Sequence, residues 1–481
     1  MSRIKFGTDG WRAVISEGFT FDNVKIVAQA IAGYVKVQKS QIGNKKSELY
    51  GRKYAIVVGY DTRFLSEKYA ELVACVLAGN GIKVLLASTP TPTPSVSFNI
   101  RHKRFLGGVM ITASHNPGRY NGIKYKNVFG ASAGKDATDA MESRLYKSKV
   151  RFLDAKSAAR KGLIKKEDIT RTHIKSVKKY VNMKLLKKAG LRILVDSMNG
   201  TGAYYIEEIL KDTNNKVTTI NGAGDAYFGG RPPEPNEVHL ASTAKAVKEG
   251  HFNVAIATDG DADRLGVVLA DGTILSGHKV MTLLLLHLLE DRGLKGGVVQ
   301  TICGTALIDK ICRRYGLKTY ETKVGFKYIA EIINKNDILV GGEETGGVAF
   351  KGWLPERDGI LSGLLILEMI AARKKSLIKI IEGINKQYGT YVYKRFDLKC
   401  SQDKKKKLVS MLKKKPFKSV LGREVVEVKS FDGDKFIRSD GSWVMLRPSG
   451  TEPKLRIYSE APNEKEAEKL INFGKRFALS I

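Results

Sequence analysis

The feature that most constrains this fold is a short apolar run that recurs along the chain and ends each time in a polar turn. The runs begin at Ala55, Arg192, Val254 and Asp337. Continuous apolar strands of this kind are typical of sheets that helices cover on both faces, and candidate helical segments separate them here. The pattern therefore predicts consecutive α/β units.

The pattern changes after about residue 375, where Gly389–Leu398 alternates like an exposed antiparallel strand. A chain of 481 residues is also too long for one hydrophobic core, since single cores rarely exceed about 250–300 residues. We therefore predict three consecutive α/β domains with mixed sheets, followed by a C-terminal α+β domain. The predicted boundaries are 1–150, 151–270, 271–375 and 376–481.

Apolar composition argues against a membrane protein. The most apolar stretches, Val280–Leu289 and Gly359–Ala372, are shorter than the roughly 18 residues that a span needs, and each contains a polar residue. The N-terminus lacks the apolar core of a signal peptide. Four scattered cysteines without a CxxC pair indicate neither disulfides nor zinc. These features predict a cytoplasmic protein with no membrane partner.

The chain is strongly basic, with 82 lysines and arginines against 49 acidic residues and a formal charge of +33. The excess concentrates in Lys156–Arg192 and Ser401–Arg423. Aromatic residues do not interleave with these runs, as stacking on single-stranded nucleic acid requires. We therefore predict a solvated basic surface that attracts anionic substrates over long range, and no specific nucleic-acid partner.

Three carboxylates at alternate positions, Asp259, Asp261 and Asp263, directly follow one apolar run. Oxygen ligands packed this densely suit a hard cation such as Mg²⁺. A calcium-binding EF-hand would need glycine at the sixth loop position and glutamate at the twelfth, where Arg264 and Ala270 stand. An acidic turn that caps a strand is the alternative for the motif taken alone.

A second strand runs into Ser114, and the Asn-Pro-Gly sequence that follows predicts a tight turn. His115 and Lys124 lie close by in sequence. A serine on such a turn is a candidate catalytic residue, although most serines on turns are structural.

Two later segments have the composition of ligand-binding loops. Val340–Gly347 holds two acids and a hydroxyl among glycines, so its acids could accept hydrogen bonds from vicinal sugar hydroxyls, and a plain glycine-rich turn is equally compatible. Leu446–Ile457 combines two arginines, two hydroxyls and a glycine, which are the donors of a phosphate site. A surface salt-bridge loop fits that combination less well.

Together, these segments resemble the α-D-phosphohexomutase family, which includes phosphoglucomutase and phosphomannomutase. Thr112–Pro117 is similar to its phosphoserine loop, Asp259–Arg264 to its metal loop, Gly342–Gly347 to its sugar-binding loop, Arg447–Pro453 to its phosphate-binding loop, and Phe6–Arg12 to its opening segment. The matches follow the family order and cover nearly the whole chain. Thr345 departs from the commoner serine, keeping the hydroxyl and adding a methyl group.

The resemblance implies four domains around a central active-site cleft and interconversion of hexose 1-phosphates and 6-phosphates through phosphoserine and a bisphosphorylated sugar. It implies Mg²⁺ as cofactor and glucose 1,6-bisphosphate as activator. The implied catalytic residues are Ser114, Lys124, His115, Arg12 and Arg264, with Lys124 or His115 as general acid or base. The implied metal ligands are Ser114, Asp259, Asp261 and Asp263, and the implied substrate contacts are Lys327, Glu343, Thr345, Arg447, Ser449, Gly450, Thr451 and Arg456.

The preferred sugar is predicted from smaller features. Gly342–Gly347 lacks the histidine-ended form of the loop that looks typical of phosphoglucosamine mutases, and Lys323–Lys327 is similar to a segment of glucose-type members. We therefore predict phosphoglucomutase activity, with phosphomannomutase or phosphoglucosamine mutase as alternatives. A sugar-phosphate phosphatase, a non-catalytic sugar-phosphate sensor and a nucleic-acid-binding protein are the more distant ones. The expected partners are small hexose phosphates, and the expected state is a monomer or homodimer.

Overall fold

The structure is a computed structural model that describes residues 4–7, 9–450 and 453–481. Its contacts divide the chain into a first unit, residues 1–294 and 326–377, and a second unit, residues 295–325 and 378–481. Within the described ranges, no helix is long and apolar enough to cross a membrane.

A six-stranded mixed sheet opens the first unit. Its strands are β1 (Trp11–Val14), β2 (Lys53–Tyr60), β3 (Lys83–Ala87), β4 (Phe105–Ile111), β5 (Tyr120–Lys126) and β6 (Ile164–Glu167), in the order β1-β5-β4-β2-β3-β6. The helices are α1 (Phe21–Gln38), α2 (Ser66–Gly79), α3 (Thr93–Lys103), α4 (Lys135–Glu142) and α5 (Ala155–Arg160). Strand β2 pairs in parallel with β3 and β4, whereas β5 runs antiparallel to β4 and β1. The mixed character of this sheet confirms the prediction.

The apolar runs are continuous because their strands are covered. Ile56, Val57 and Val58 of β2 are fully buried, and both α2 and α3 contact that strand. A strand that is half exposed would instead alternate between apolar and polar residues. The unbroken apolar run at Ala55 therefore corresponds to a central strand of a sheet that helices cover.

A four-stranded sheet follows, in the order β10-β9-β7-β8. Its elements are α6 (Thr170–Tyr180), α7 (Met183–Lys187), β7 (Arg192–Asp196), α8 (Tyr205–Leu210), β8 (Lys216–Ile220), α9 (Ala241–Glu249), β9 (Val254–Thr258) and β10 (Leu265–Leu269). Strands β7, β8 and β9 are parallel, and β10 returns antiparallel to β9. The β9–β10 connection is the segment that carries the three carboxylates, so two buried strands hold it at both ends.

The next part of the chain alternates in sequence between the first and the second unit. Helix α10 (Gly277–Leu286), with a π-helical turn at His287–Asp291, belongs to the first unit; β11 (Gly297–Thr301), α11 (Ala306–Arg314) and β12 (Thr319–Thr322) belong to the second. The chain returns to the first unit for α12 (Phe326–Lys335), β13 (Ile338–Gly342), β14 (Val348–Phe350) and α13 (Gly359–Arg373). Strands β11 and β12 pair in parallel, and β13 and β14 form an antiparallel hairpin.

The C-terminal part of the second unit is built on an antiparallel sheet. After α14 (Leu377–Tyr388) come β15 (Val392–Lys399), α15 (Gln402–Lys414), β16 (Ser419–Val420), β17 (Arg423–Lys429), β18 (Asp434–Arg438), β19 (Trp443–Pro448), β20 (Lys454–Ala461) and α16 (Glu464–Leu479). The strand order is β15-β20-β19-β18-β17-β16. Every neighbouring pair is antiparallel, which confirms the predicted α+β character of this region.

Candidate active site

Ser114 lies in the turn that follows β4. Its backbone is left-handed, with φ of 52°, which is uncommon for a residue other than glycine. Its N–H donates to Thr112 Oγ1 at 2.8 Å, and its Oγ donates to Asp259 Oδ2 at 3.0 Å. The predicted serine and the carboxylate segment therefore meet, although 145 residues separate them.

Asp259, Asp261 and Asp263 are fully buried, and each can place one carboxylate oxygen within 4.8 Å of the others. Asp259 Oδ1 accepts the N–H groups of Asp263 and Arg264 at 3.0 and 3.1 Å, which fixes the turn. Among the residues that the structure describes, Asp261 Oδ1 and Asp263 Oδ1 are buried acceptors without a hydrogen-bond donor. Two orphaned carboxylate oxygens in a cluster of three acids fit a divalent cation.

The negative charges of the three carboxylates repel one another, and a bound cation would offset this repulsion. Burial and then the neighbouring Asp263 and Asp261 raise the pKa of Asp259 well above its ordinary value. Burial alone would also raise the pKa of Asp261, but Lys124 outweighs it, so that pKa is lowered. The three acids thus repel one another, and positive charge from outside the loop holds them together.

Lys124 supplies part of that positive charge. Its Nζ lies 2.8 Å from Asp261 Oδ2, 3.3 Å from Asp263 Oδ2 and 3.0 Å from Asp9 Oδ2. Burial by itself would lower the pKa of Lys124, but these three carboxylates raise it above its ordinary value. Lys124 is therefore an ammonium in this arrangement.

His115 has the opposite electrostatic setting. Its Nδ1 lies 3.4 Å from Ser114 Oγ. Burial, followed by the positive charges of Arg264 and Arg12, lowers the pKa of His115 well below its ordinary value. The two predicted acid–base candidates thus have opposite electrostatic surroundings, with carboxylates around Lys124 and cations around His115.

Arg12 and Arg264 also approach the serine turn and the carboxylates. Arg12 Nη1 donates to Asn116 Oδ1 at 2.7 Å, in the turn that carries Ser114. Arg264 is 7% exposed, and its Nε lies 3.9 Å from Asp259 Oδ2 and from Asp263 Oδ1. Both arginines can therefore offer positive charge to an anion at Ser114.

The predicted sugar-binding residues occupy the β13–β14 hairpin. Glu343 is buried, and its N–H donates to the carbonyl of Gly347 at 3.1 Å. Burial raises the pKa of Glu343 to about 7, against the opposing charge of Arg357. Thr345 Oγ1 is a buried hydroxyl with no hydrogen-bond partner among the described residues, which leaves it available to a ligand. Lys327, in the first turn of α12, is also buried, which lowers its pKa.

Sequence reasoning missed the residue that connects the carboxylates to this hairpin. Arg357 Nη2 lies 2.8 Å from Asp263 Oδ2 and 3.1 Å from Asp9 Oδ2, and its Nη1 donates to Glu343 Oε2 at 3.3 Å. Its local sequence shows only the start of α13, because the next residue, Asp358, caps that helix. Asp9 lies within the opening segment that the sequence singled out, so a signal for Asp9 was present and none was visible for Arg357.

The predicted phosphate-binding residues lie in the second unit, at the β19–β20 hairpin. Arg447 and Arg456 face each other in register across the two strands. Arg447 Nε lies 3.1 Å from Asp432 Oδ2, and Ser449 N–H donates to the carbonyl of Lys454 at 2.9 Å. Gly450 is exposed. Thr451, also predicted for this site, lies outside the described residues.

The chain matches four models of the phosphoglucomutase/phosphomannomutase family in order. They are α/β/α domain I over residues 3–151, α/β/α domain II over 171–272, α/β/α domain III over 276–388 and the C-terminal domain over 399–473. Together they cover most of the chain and confirm three α/β domains followed by a different C-terminal domain.

Individual relatives match over nearly their whole length. A phosphoglucomutase/phosphomannomutase of Thermococcus kodakarensis is 32% identical over 98% of this chain and 97% of its own. A phosphoglucosamine/phosphogalactosamine mutase of Sulfurisphaera tokodaii is 29% identical over 98% of both. A crystal structure named "putative phosphomannomutase", from Thermus thermophilus, is 32% identical, covers 99% of each chain and superposes with a TM-score of 0.86.

These matches agree with a site that joins a serine, a carboxylate cluster and a glycine-rich acidic hairpin in the family order. They also confirm the resemblance on which the sequence interpretation depended. The chain therefore belongs to the phosphoglucomutase/phosphomannomutase family of α-D-phosphohexomutases and is a phosphohexomutase, an isomerase that acts by phosphoryl transfer.

Proposed function

We propose that this phosphohexomutase interconverts glucose 1-phosphate and glucose 6-phosphate through a phosphoserine at residue 114. The observation that carries the proposal is the 3.0 Å contact between Ser114 Oγ and Asp259, inside a buried cluster with two orphaned carboxylate oxygens. A neutral serine hydroxyl is a weak nucleophile, whereas a phosphorylated serine is a stored phosphoryl donor.

The reaction begins when the free hydroxyl oxygen of a hexose monophosphate attacks the phosphorus of phosphoserine 114. The bond from phosphorus to Ser114 Oγ breaks, Ser114 Oγ takes up a proton from an acid, and the proton of the hexose hydroxyl passes to a base. His115, whose pKa is lowered, is the candidate base, and the Lys124 ammonium is the candidate acid. Arg12 and Arg264 face the charge of the phosphoryl oxygens. The product is a hexose 1,6-bisphosphate, which also serves as activator when supplied from solution.

Asp259, Asp261 and Asp263 would hold Mg²⁺, with a phosphoserine oxygen as a further ligand. The bound cation supplies positive charge that offsets the negative charge of the phosphoryl oxygens. Lys124 and Arg357 hold the Oδ2 atoms of Asp261 and Asp263, which leaves the Oδ1 atoms of both for the metal.

The second half-reaction returns the other phosphate to Ser114. The bisphosphate must turn over, so Glu343, Thr345 and Lys327 have to accept the sugar in two orientations. A vicinal diol can bond to one carboxyl group from either direction, because the two hydroxyls are chemically similar. Arg447, Ser449, Gly450, Thr451 and Arg456 would grip the phosphate that is not reacting.

The choice of glucose rests on the charges beside Glu343. Arg357 already contacts this carboxyl, whose raised pKa makes it a weak counter-ion for a second cation. An amino sugar would bring its ammonium group into the same region, so a neutral hexose suits it better. Mannose phosphate and glucosamine phosphate are the other candidates, because the Thermococcus kodakarensis relative is named in part for phosphomannomutase and the Sulfurisphaera tokodaii relative for amino sugars.

Parallel turnover assays separate these candidates. We expect the highest kcat/KM with glucose 1-phosphate, a lower value with mannose 1-phosphate and the lowest with glucosamine 1-phosphate, with Mg²⁺ and glucose 1,6-bisphosphate present in each. Preference for glucosamine 1-phosphate would overturn the choice of sugar and leave the mutase chemistry intact. Release of inorganic phosphate at the rate of substrate loss would instead indicate a phosphatase.

We extend the proposal to location and partners. The enzyme would act in the cytoplasm on small hexose phosphates, as a monomer or homodimer, without a specific nucleic-acid or membrane partner. The lysines of α15 support the absence of a specific nucleic-acid partner. Lys404, Lys406 and Lys407 are exposed to solvent, and no aromatic residues interleave with them for stacking on bases.

Arg447→Ala tests the phosphate grip. We expect the KM for glucose 1-phosphate to rise roughly 10- to 100-fold, because a charge-assisted hydrogen bond contributes about 1.5–3 kcal/mol. More free glucose 1,6-bisphosphate should accumulate, while Ser114 is still phosphorylated. Arg395→Ala is the matched control, since Arg395 pairs with Asp397 on another strand of the same sheet. Unchanged KM and unchanged bisphosphate release would remove Arg447 from the phosphate site.

A further inference from the structure

A buried arginine lies directly behind the Ser114 turn. Arg63, just after β2, has a fully buried side chain. Its Nη2 donates to the carbonyl oxygens of Ser114 and Asn116 at 2.6 and 2.7 Å. Its Nη1 donates to those of Pro117 and Tyr120 at 2.8 and 3.0 Å. One guanidinium thus donates hydrogen bonds to four carbonyl groups within seven consecutive residues.

The fifth donor is used as well. Arg63 Nε donates to Asp61 Oδ2 at 2.9 Å, and Asp61 Oδ1 accepts the Arg63 N–H at 3.1 Å and the Ser66 hydroxyl at 2.8 Å. A guanidinium has five N–H donors in a rigid planar fork, so all of them are engaged. An ammonium has three donors around a point, and lysine could not reproduce this set.

The contact with the Ser114 carbonyl bears on the backbone strain at that residue. A left-handed conformation is unfavourable for a residue with a Cβ, so neighbouring contacts must hold it. Because the peptide group is planar, fixing the Ser114 carbonyl also fixes the Ser114–His115 peptide. Arg63 thereby restrains the backbone on which both Ser114 Oγ and the His115 ring depend.

Arg63 also sets the approach of the serine turn to the carboxylate loop. Its guanidinium lies 4.6 Å from the centre of the Phe228 ring. Gly260, between Asp259 and Asp261, packs against the Ser114 carbonyl and the Phe228 ring. A Cβ at this position would lie 2.7 Å from the Ser114 carbonyl oxygen and 3.3 Å from Phe228. The Ser114 carbonyl is therefore enclosed between Arg63 and Gly260.

We propose that Arg63 is a positioning residue for phosphoryl transfer, which holds Ser114 in the strained conformation that places its Oγ beside Asp259. Arg63 contacts neither the sugar-binding hairpin nor the three carboxylates through any hydrogen bond found among the described residues. Its loss should therefore slow transfer to and from Ser114 and leave sugar and metal binding unchanged. This inference rests on the proposed role of Ser114.

Arg63→Lys keeps the charge and removes the fork. We expect single-turnover transfer from glucose 1,6-bisphosphate to Ser114 to slow roughly 100-fold, the scale of a misplacement of about 1 Å in a reacting group. The KM for glucose 1-phosphate and the calorimetric affinity for Mn²⁺ should change less than twofold. Amide hydrogen exchange across residues 113–121 should become faster. Arg52→Lys is the control, because Arg52 bonds to two carbonyls at the other end of β2.

Asp61→Asn is a second variant, which leaves Arg63 in place and removes the charge of its anchor. We expect about a 10-fold slower transfer, since a hydrogen bond between two charged groups is exchanged for one between a guanidinium and a neutral amide. Unchanged amide exchange and transfer in both variants would overturn the proposal. A parallel loss of melting temperature, Mn²⁺ affinity and transfer would show a general structural role and overturn it as well.

The exchange measurement separates this inference from the proposed function. If wild-type Ser114 never carries phosphate, the proposed function fails, and faster exchange in Arg63→Lys would still show that Arg63 restrains the turn. If Ser114 is phosphorylated and Arg63→Lys transfers at the wild-type rate, the proposed function stands and the inference fails.

Discussion

Replacing Ser114 with alanine is expected to lower mutase turnover roughly 10⁴-fold or more, the scale on which enzymes respond to loss of a covalent nucleophile. The reason is that the Ser114 hydroxyl, which donates to Asp259, is the proposed carrier of the phosphoryl group. The intact mass of the wild-type chain should fall by one phosphate after phosphatase treatment. The mass of Ser114→Ala should not change.

Ser97→Ala is the matched control for this experiment. Ser97 is also a fully buried serine of the first unit, and its hydroxyl lacks a hydrogen-bond partner among the described residues. Its loss should leave both turnover and the phosphate mass difference unchanged. Full turnover by Ser114→Ala would contradict the assignment of the phosphoryl carrier.

Asp259→Asn is expected to weaken Mn²⁺ or Mg²⁺ binding at least about 100-fold, because even residues that only support a metal ligand contribute 10- to 100-fold. Turnover at fixed Mg²⁺ should fall in proportion, and excess EDTA should abolish wild-type turnover. Asp261→Asn and Asp263→Asn should act in the same direction, with an added effect because each carboxylate also binds Lys124 or Arg357.

Stability without metal distinguishes a metal ligand from a structural acid. Burial, followed by Asp263 and Asp261, raises the pKa of Asp259, so removal of its charge relieves both desolvation and repulsion. An asparagine Oδ1 can still accept the same two N–H groups. The metal-free Asp259→Asn protein should therefore melt no lower than the wild type. Asp225→Asn is the control, since Asp225 also accepts two backbone N–H groups in a loop. Activity that persists in EDTA would make the three acids structural.

Local sequence determined the strands and the loops that follow them. The run that forms β9 and the alternate carboxylates after it lie within ten residues, and the Asn-Pro-Gly turn after Ser114 is equally local. Strand propensity, burial pattern and turn chemistry act over such distances, so the α/β sheets, the antiparallel C-terminal sheet and the site segments could be predicted. No single segment specified the reaction. The reaction was predicted because the segments together resemble the phosphohexomutase family in their order.

Tertiary structure alone decided which charged side chains meet. Arg357 and Asp9 are 348 residues apart, and Arg63 reaches carbonyls 51 to 57 residues further along the chain. A sequence shows that these residues are charged, but their partners depend on how strands and helices pack around them. The pKa values of Lys124 and His115 are decided in the same way: desolvation lowers both, but the carboxylates around Lys124 reverse the shift, whereas the cations around His115 add to it. Burial and long-range Coulomb interactions, which are properties of the packed chain, set that difference.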